Sequence, residues 1–284
     1  MEQLIELAVR GILLGVTYGL LAFPISLIFL ATDTVDLAIG AYAVLAAVTA
    51  FVIGGPLGIA AGICVATVAS AITGTISGIL SRRDPGNPLV IVLASFGFAV
   101  MLESTVLSGF GHDPVIRQPF DTFWNLGGIR ISPQAGINVL VGTLIMFALY
   151  LLLYRSPWGR MMRASAINPR GAQLAGIPVR AVQFSTFLLT GILAGIAGVL
   201  ILYTSGTDFA AGLHLTLTSF GAAILFGLQG PMRGFIGGIA IGVVESLSAG
   251  FASGGLATMI PLIFIFTVLA TGKMSREGIA GGRA

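Results

Sequence analysis

The chain has 284 residues, of which 56% are hydrophobic and only 9% are charged, with 14 basic and 11 acidic side chains. A soluble domain usually carries about a quarter charged residues, so this composition excludes a single soluble domain and indicates that lipid is the natural solvent. A net charge of +3 does not indicate nucleic-acid binding here, because thirteen of the fourteen basic residues are Arg and five of these lie in one loop.

A transmembrane helix needs about 20 apolar residues, and the sequence offers eight or nine such segments. In chain order they are 11–31, 35–53, 57–80, 89–110, 135–154, 182–203, 214–228, 235–251 and 256–271. Some of the last three are short for ordinary spans, and a polar segment, 111–134, separates the fourth from the fifth. We therefore predict an all-α polytopic membrane protein that forms one transmembrane domain over residues 1–284.

Arginine placement predicts the orientation, since Lys and Arg accumulate on the cytoplasmic side of membrane proteins. The basic segments are Arg82 with Arg83, the loop 155–180, and Lys273, Arg276 and Arg283 near the C-terminus. Nine alternating spans place all of them on one side, with the N-terminus outside and the C-terminus inside.

Two polar interruptions indicate possible broken helices. The segment 31–36 (ATDTVD) puts two carboxylates between apolar spans, and 227–234 (GLQGPMRG) is rich in Gly and Pro. Interrupted helices often flank the pathway of a transporter. Carboxylates within a membrane are energetically costly, so their presence usually indicates a function. A tight loop at the membrane surface explains either interruption equally well. The candidate pathway residues are Tyr18, Asp36, Glu103 and Gln229, and Glu245 is a further carboxylate within a span.

The sequence lacks the patterns of catalytic and metal-binding sites. His112 and His214 stand alone, and no His, Cys or carboxylate grouping has metal-ligand spacing. Thr271-Gly272-Lys273 resembles the end of a phosphate loop but lacks the earlier glycine and the following Ser or Thr. We expect no enzyme activity, no metal and no cofactor, and any ATP that drives the protein must bind another chain.

A short helix is predicted inside the loop 155–180. Asn168 and Pro169 are helix start signals, while Gly176 and Pro178 are stop signals, so the helix should cover 170–175. Its length of about two turns is far too short to span a bilayer. A short capped helix on the arginine-rich side is typical of a docking element, although an ordinary interfacial helix has the same signature.

The loop from Trp158 to Arg180 (WGRMMRASAINPRGAQLAGIPVR) resembles the cytoplasmic coupling loop of permease subunits of the branched-chain amino-acid (LIV-type) ABC transporters. Four more segments resemble that family at matching places along the chain: 15–22 (GVTYGLLA), 88–97 (PLVIVLASFG), 127–132 (GGIRIS) and 187–200 (FLLTGILAGIAGVL). The resemblance therefore extends over nearly the whole chain.

This resemblance implies the membrane-embedded half of an ATP-driven importer in the cytoplasmic (inner) membrane of a bacterium or archaeon. It implies three kinds of partner: cytoplasmic ATP-binding subunits, a second permease subunit and an extracytoplasmic substrate-binding protein. Carried over to the matching positions, it implies that the ATP-binding subunits contact Arg160, Arg163, Ala164, Asn168, Ala172, Leu174 and Gly176.

The solute stays open at this point, with branched-chain or other amino acids as the first choice. The segment 36–40 (DLAIG) departs from the NFAHG common in that family and is closer to the DLSVG of simple-sugar permeases. A permease for urea, an amide, a small carboxylate, a sugar or a nucleoside is the alternative. The competing classes are an ion-coupled secondary transporter or channel and a membrane-embedded enzyme.

Overall fold

The computed structural model describes residues 2–83, 87–117, 124–126, 129–228, 230–251 and 255–271. Over these residues the chain forms eleven α-helices and one antiparallel pair of short strands. The helices are α1 Glu2–Thr32, α2 Ile39–Ile53, α3 Gly55–Arg83, α4 Pro88–Phe110, α5 Pro133–Arg155, α6 Pro157–Ile167, α7 Pro169–Leu174, α8 Val179–Thr204, α9 Ala211–Leu225, α10 Pro231–Phe251 and α11 Gly255–Thr271. The strands β1 Trp124–Leu126 and β2 Ile129–Ile131 lie between α4 and α5.

The fold class predicted from the sequence, an all-α polytopic membrane protein, is confirmed. Within the described residues, six helices are long and apolar enough to span a bilayer, and three shorter apolar segments accompany them. The long ones are α1, α3, α4, α5, α8 and α10, and the shorter ones are α2, α9 and Met259–Val268 of α11. Two of the short helices, α2 and α9, have only 15 residues each.

Glycine contacts join α1 to α10, which run antiparallel. Gly11, Gly15 and Gly19 of α1 lie against Val243, Ile239 and Phe235 of α10, in that order, so residue numbers rise along one helix as they fall along the other. A Cβ on Gly15 would lie 2.5 Å from the Cα of Ile239. Small residues permit this close backbone approach, and the van der Waals packing that results helps to hold helices together in lipid.

The short helix α2 is enclosed by its neighbours. It packs against α3, α8 and α9, and every residue from Ile39 to Val48 is buried. An amphipathic helix would bury only one stripe, whereas α2 is apolar all round. The lipid-facing surface lies elsewhere, for example on α5, where Leu140, Leu144 and Phe147 are exposed.

Two of the three basic segments lie at one end of the molecule, which we call the basic end. The helices α3 and α8 pack antiparallel, with Gly191 against Thr67 and Gly195 against Ile63. The last turn of α3, with Arg82 and Arg83, therefore lies at the same end as α6, α7 and the start of α8. Lys273, Arg276 and Arg283 lie outside the described residues.

Candidate functional site

The first polar interruption is a break between α1 and α2. α1 ends at Thr32, and the chain becomes helical again only at Ile39. Asp33 has a φ of +53°, in the left-handed region that Asp tolerates better than most residues. Oγ1 of Thr32 lies 2.7 Å from Oγ1 of Thr34, while Asp36 is only 2% exposed. The break is therefore enclosed by protein at Asp36.

Asp36 anchors the start of α2. Its Oδ1 accepts a hydrogen bond of 2.9 Å from the backbone N–H of Ala38. Its Oδ2 lies 3.0 Å from the hydroxyl of Tyr42, which lies 2.6 Å from Oγ1 of Thr73 on α3. All of these side chains are buried, and a carboxylate removed from water needs such partners. Asp36 thus connects the break to α2 and α3.

The first turns of the two short helices touch each other. The backbone N–H of Gly40 in α2 donates to Oγ1 of Thr216 in α9 at 2.9 Å. The same hydroxyl lies 3.2 Å from the carbonyl of Leu37, inside the break. A Cβ on Gly40 would collide with the carbonyl oxygen of Gly212, so this contact requires glycine at position 40.

Glu103 reaches the same turn of α9 from another side. Its Oε1 accepts a hydrogen bond of 3.0 Å from the backbone N–H of Leu213. This amide belongs to the first turn of α9, whose N–H groups have no partner within the helix. Glu103 is only partly buried, and Leu213 beside it is exposed.

A second carboxylate, Glu245 on α10, lies near the next residue of α9. The hydroxyl of Tyr18 on α1 donates to Oε1 of Glu245 at 2.9 Å. His214 of α9 is close enough for an electrostatic interaction with this carboxylate. Among the described residues, Oε2 of Glu245 is buried without a hydrogen-bond partner. The backbone N–H of Leu213 thus bonds one carboxylate within a span, and His214, the next residue, lies within electrostatic range of another.

The predicted short helix of the coupling loop is present as α7, Pro169–Leu174. Oδ1 of Asn168 accepts from the backbone N–H of Gly171 at 2.9 Å and caps its start. Gly176 follows its end with a φ of +82°, which glycine adopts without strain.

A second helix, α6, precedes α7 and was not predicted from the sequence. Pro157 occupies its first turn, and Oγ of Ser156 caps it by accepting from the backbone N–H of Gly159 at 3.1 Å. Trp158 holds α6 against α8, since its Nε1 donates to Oγ of Ser185 at 2.7 Å.

The proposed coupling residues occupy different environments within this loop. Leu174 is 90% exposed and Ala172 is 5% exposed. Arg163 is half-buried; its Nη1 donates to the carbonyl of Leu153 at the end of α5, and its guanidinium lies over the ring of Tyr154. The remaining members are Arg160, Asn168 and Gly176, which are exposed, and Ala164, which is half-buried.

The structure brings three of the predicted pathway residues towards the starts of α2 and α9. Asp36 lies beside the start of α2, Glu103 bonds α9 directly, and Tyr18 bonds Glu245 near His214. Gln229 lies outside the described residues. Sequence reasoning missed Tyr42, Thr73 and Thr216, because a Tyr or Thr in an apolar helix gives no signal of its distant partner.

The comparison with known proteins identifies relatives along almost the whole chain. A family model described as "Branched-chain amino acid transport system / permease component" matches residues 7–269. The chain is 33% identical over 149 residues to the probable branched-chain amino acid transport permease protein LivH of Methanocaldococcus jannaschii, covering 51% of this chain and 47% of that protein. It is 26% identical over 296 aligned positions to the high-affinity branched-chain amino acid transport system permease protein LivH of Escherichia coli, covering 95% of each.

A relative with another named role is the autoinducer 2 import system permease protein LsrD of Salmonella paratyphi B. It is 28% identical over 252 residues, covering 84% of this chain and 72% of that protein. Among solved structures, PsaBC from Streptococcus pneumoniae in complex with Fab has a TM-score of 0.53 at 14% identity, covering 94% of this chain and 92% of that chain. At this identity the likeness shows the fold.

Proposed function

The chain belongs to the family of branched-chain amino-acid transport system permease components, and we propose that it is the membrane-spanning half of an ATP-driven importer for amino acids. The relatives named as branched-chain amino-acid permeases support this class of solute. On this proposal the protein lies in the cytoplasmic (inner) membrane of a bacterium or archaeon, with the basic end inside.

The coupling loop at the basic end carries the proposal. Ile167 at the end of α6 and Leu174 at the end of α7 are 86% and 90% exposed. Neither helix is long enough to span a membrane, at 11 and 6 residues. Two apolar side chains that are almost fully exposed in one loop favour a protein contact. The partners we assign to this surface are cytoplasmic ATP-binding subunits, which would also contact the other coupling residues named above.

The loop has direct contacts with the transmembrane helices. Trp158 bonds Ser185 on α8, and Nε2 of Gln183 on the same helix donates to the carbonyl of Ala31 at 2.9 Å. Ala31 lies at the end of α1, just before the break that holds Asp36. Movement of the ATP-binding subunits would thus be transmitted to the break and open the route to each side in turn. A second permease subunit and an extracytoplasmic substrate-binding protein complete this proposed importer.

A different solute is the second candidate. The relative LsrD is named as an autoinducer 2 import permease, and the segment 36–40 is closer to the pattern of simple-sugar permeases than to that of amino-acid permeases. The two candidates share the transport mechanism and differ only in the solute that the importer accepts.

Reconstitution tests both parts of the proposal. The chain would be purified with its ATP-binding subunits, reconstituted in liposomes and supplied with its binding protein and radiolabelled leucine. We expect leucine accumulation that requires hydrolysable ATP and is not reduced by excess ribose. Uptake by the chain alone without ATP would overturn the importer proposal, whereas ATP-driven uptake of ribose but not leucine would overturn the choice of amino acids.

A further inference from the structure

The exposed face of α4 changes its chemistry along the helix. Towards the basic end it carries large apolar side chains such as Leu89 and Leu93, which are 62% and 59% exposed. Towards the other end, small hydroxyl residues are exposed beside the apolar Val100, Met101 and Phe110, and a shallow cavity of about 460 Å³ lies over the hydroxyl residues. The cavity is lined by Met101, Ser104, Thr105, Ser108 and Gly109. We call Ser104, Thr105 and Ser108, together with the adjoining Glu103, the α4 polar face; Glu103 lies at its edge, where it bonds α9.

Glu103 gives this face a charge within a transmembrane helix. It is the sixteenth of the 23 residues of α4, which places its Cα roughly 10 Å from the nearer end of the helix at 1.5 Å per residue. The one ion pair found among the described residues joins Arg10 to Glu6, so Glu103 has no ionic partner there. A carboxylate in a membrane almost always faces a bundle interior or a water-filled cavity, because hydrocarbon cannot solvate it.

The helix next in sequence provides a comparison. α5 also spans the bilayer and is also widely exposed, but its exposed residues include Leu140, Leu144, Phe147 and Leu151. These side chains suit lipid, whereas the carboxylate of the α4 polar face suits water. Two of its hydroxyls donate within the helix, Thr105 to the carbonyl of Met101 and Ser108 to that of Ser104, at 2.8 Å each. Two exposed helices of equal length, 23 residues each, thus differ in one respect: α4 carries a carboxylate within its span, whereas α5 carries none.

Three carboxylates lie within or between the spans, whereas the basic residue Arg10 of α1 is already paired with Glu6. Asp36, Glu103 and Glu245 lie away from the helix ends that carry the basic residues of the described part, such as Arg83 and Arg155. A route lined by carboxylates attracts a positively charged group and raises its local concentration.

We infer that the α4 polar face is a water-filled wall of the solute route and that Glu103 receives the ammonium group of the passing solute there. The inference rests on the proposed function and sharpens it, since an amino acid carries an ammonium group and a neutral sugar does not. Glu103 is well placed for this role, because Oε1 is held by the N–H of Leu213 while the side chain stays partly exposed.

Thiol labelling tests the inference in native membranes. The single cysteine, Cys64, would be replaced by Ala, and cysteine would be introduced at Ser104, at Ser108 or, as a lipid-facing control, at Leu144. Two methanethiosulfonate reagents would be compared, one with a trimethylammonium group and one with a sulfonate group. A thiolate attacks either reagent, forms a mixed disulfide and releases methanesulfinate, and this step requires water because only the thiolate reacts.

We expect Ser104→Cys and Ser108→Cys to react at least about tenfold faster than Leu144→Cys, because hydrocarbon excludes both reagents and the thiolate. At Ser104→Cys the cationic reagent should react about tenfold faster than the anionic one, after correction for their rates with a free thiol. The reason is that the nearby Glu103 carboxylate attracts the cationic reagent and repels the anionic one. Adding Glu103→Gln should abolish most of this difference, whereas the control Glu6→Gln should leave it unchanged.

Two results would overturn the inference. Labelling of Ser104→Cys as slow as that of Leu144→Cys would mean that lipid or another protein covers the face. If the cationic reagent still reacted about tenfold faster at Ser104→Cys after Glu103→Gln, Glu103 would not be the group that receives the ammonium. Labelling needs neither ATP nor a binding protein, so the labelling and uptake experiments can fail independently. Either of these results can occur while ATP-driven leucine uptake proceeds, and labelling rates can still be measured if uptake fails.

Discussion

The side-chain amide of Gln183 on α8 lies 2.9 Å from the backbone carbonyl of Ala31 on α1, and the two residues are 152 positions apart in sequence. The carbonyls of the last turn of a helix lack partners within that helix, so Gln183 satisfies one of them. The contact joins α8, which receives the coupling loop through Ser185 and Trp158, to the end of α1 that precedes the break.

The variant Gln183→Glu should weaken coupling between ATP hydrolysis and transport. A carboxylate of nearly the same shape cannot donate to the Ala31 carbonyl, so the contact is lost and repulsion replaces it, at a cost of about 1–3 kcal/mol. We expect ATPase subunits to stay bound and to hydrolyse ATP, while leucine uptake per ATP falls several-fold. Uptake and hydrolysis would be measured in the same proteoliposomes. The neighbouring Phe184→Ala, on an exposed side chain, should change neither, and an unchanged ratio in Gln183→Glu would refute the coupling role.

The variant Leu174→Asp should prevent docking without unfolding the loop. Leu174 is 90% exposed, so the aspartate stays in water while the apolar contact is lost. Co-purification of the ATP-binding subunits measures the effect. Leu57→Asp is the matched control, because Leu57 is 79% exposed but lies at the start of α3, at the opposite end from Arg83. Equal retention of the ATP-binding subunits by both variants would contradict the docking surface.

Ala172→Asp should act by a different route from Leu174→Asp. Ala172 is 5% exposed, so a buried carboxylate at this position disrupts the packing of α7 itself, as burial of an unpaired charge is strongly unfavourable. We expect increased proteolysis of the coupling loop in Ala172→Asp but not in Leu174→Asp. Identical protease resistance of the two variants would mean that α7 does not pack through Ala172.

The variant Gly15→Ala should destabilise the α1–α10 contact. The added methyl would lie 2.5 Å from the Cα of Ile239, and overpacking of this kind costs about 1–3 kcal/mol. A lower melting temperature in detergent is the expected result. Gly78→Ala on α3 is the control, because its methyl would meet nothing within 4 Å and alanine favours a helix. If the two variants had the same melting temperature, α1 and α10 would not be in close contact.

The variant Tyr18→Phe should destabilise the protein through Glu245. Loss of the hydroxyl leaves Oε1 of Glu245 without its 2.9 Å partner, and an unsatisfied buried acceptor costs about 1–3 kcal/mol. Combining Tyr18→Phe with Glu245→Leu should restore part of the loss, since both polar groups are then absent. Tyr150→Phe, on an exposed ring of α5, should leave the melting temperature unchanged. A double variant that is no more stable than Tyr18→Phe would refute the pairing.

The composition and the apolar segments were sufficient to predict the fold class. Lengths of apolar sequence report directly on membrane spans, and capping residues such as Asn168 and Gly176 report on a helix end whatever its surroundings. The helix α7 therefore lies within one residue of its predicted bounds. The resemblance to the branched-chain amino-acid permeases is confirmed by the family match.

The tertiary contacts of the candidate site could not be predicted in the same way. α2 is apolar on every face, so its sequence carries no stripe to indicate which side meets α3 or α9. The bonds of Tyr42 to Thr73 and of Gly40 to Thr216 join positions 31 and 176 residues apart. Arg163 was predicted from the family as a contact of the ATP-binding subunits, and its bond to the Leu153 carbonyl became visible only in the folded loop.

The enclosure of α2 has a consequence for how the protein enters the membrane during synthesis. With 15 residues, α2 is shorter than a helix that crosses a bilayer alone, which needs about 20 residues. The helices that surround it include α8 and α9, which the ribosome makes later. Gly54 and Gly55, both with positive φ, connect α2 directly to the 29-residue α3. α2 and α3 should therefore insert as one hairpin, with the long helix holding the short one in lipid until the later helices arrive and surround it.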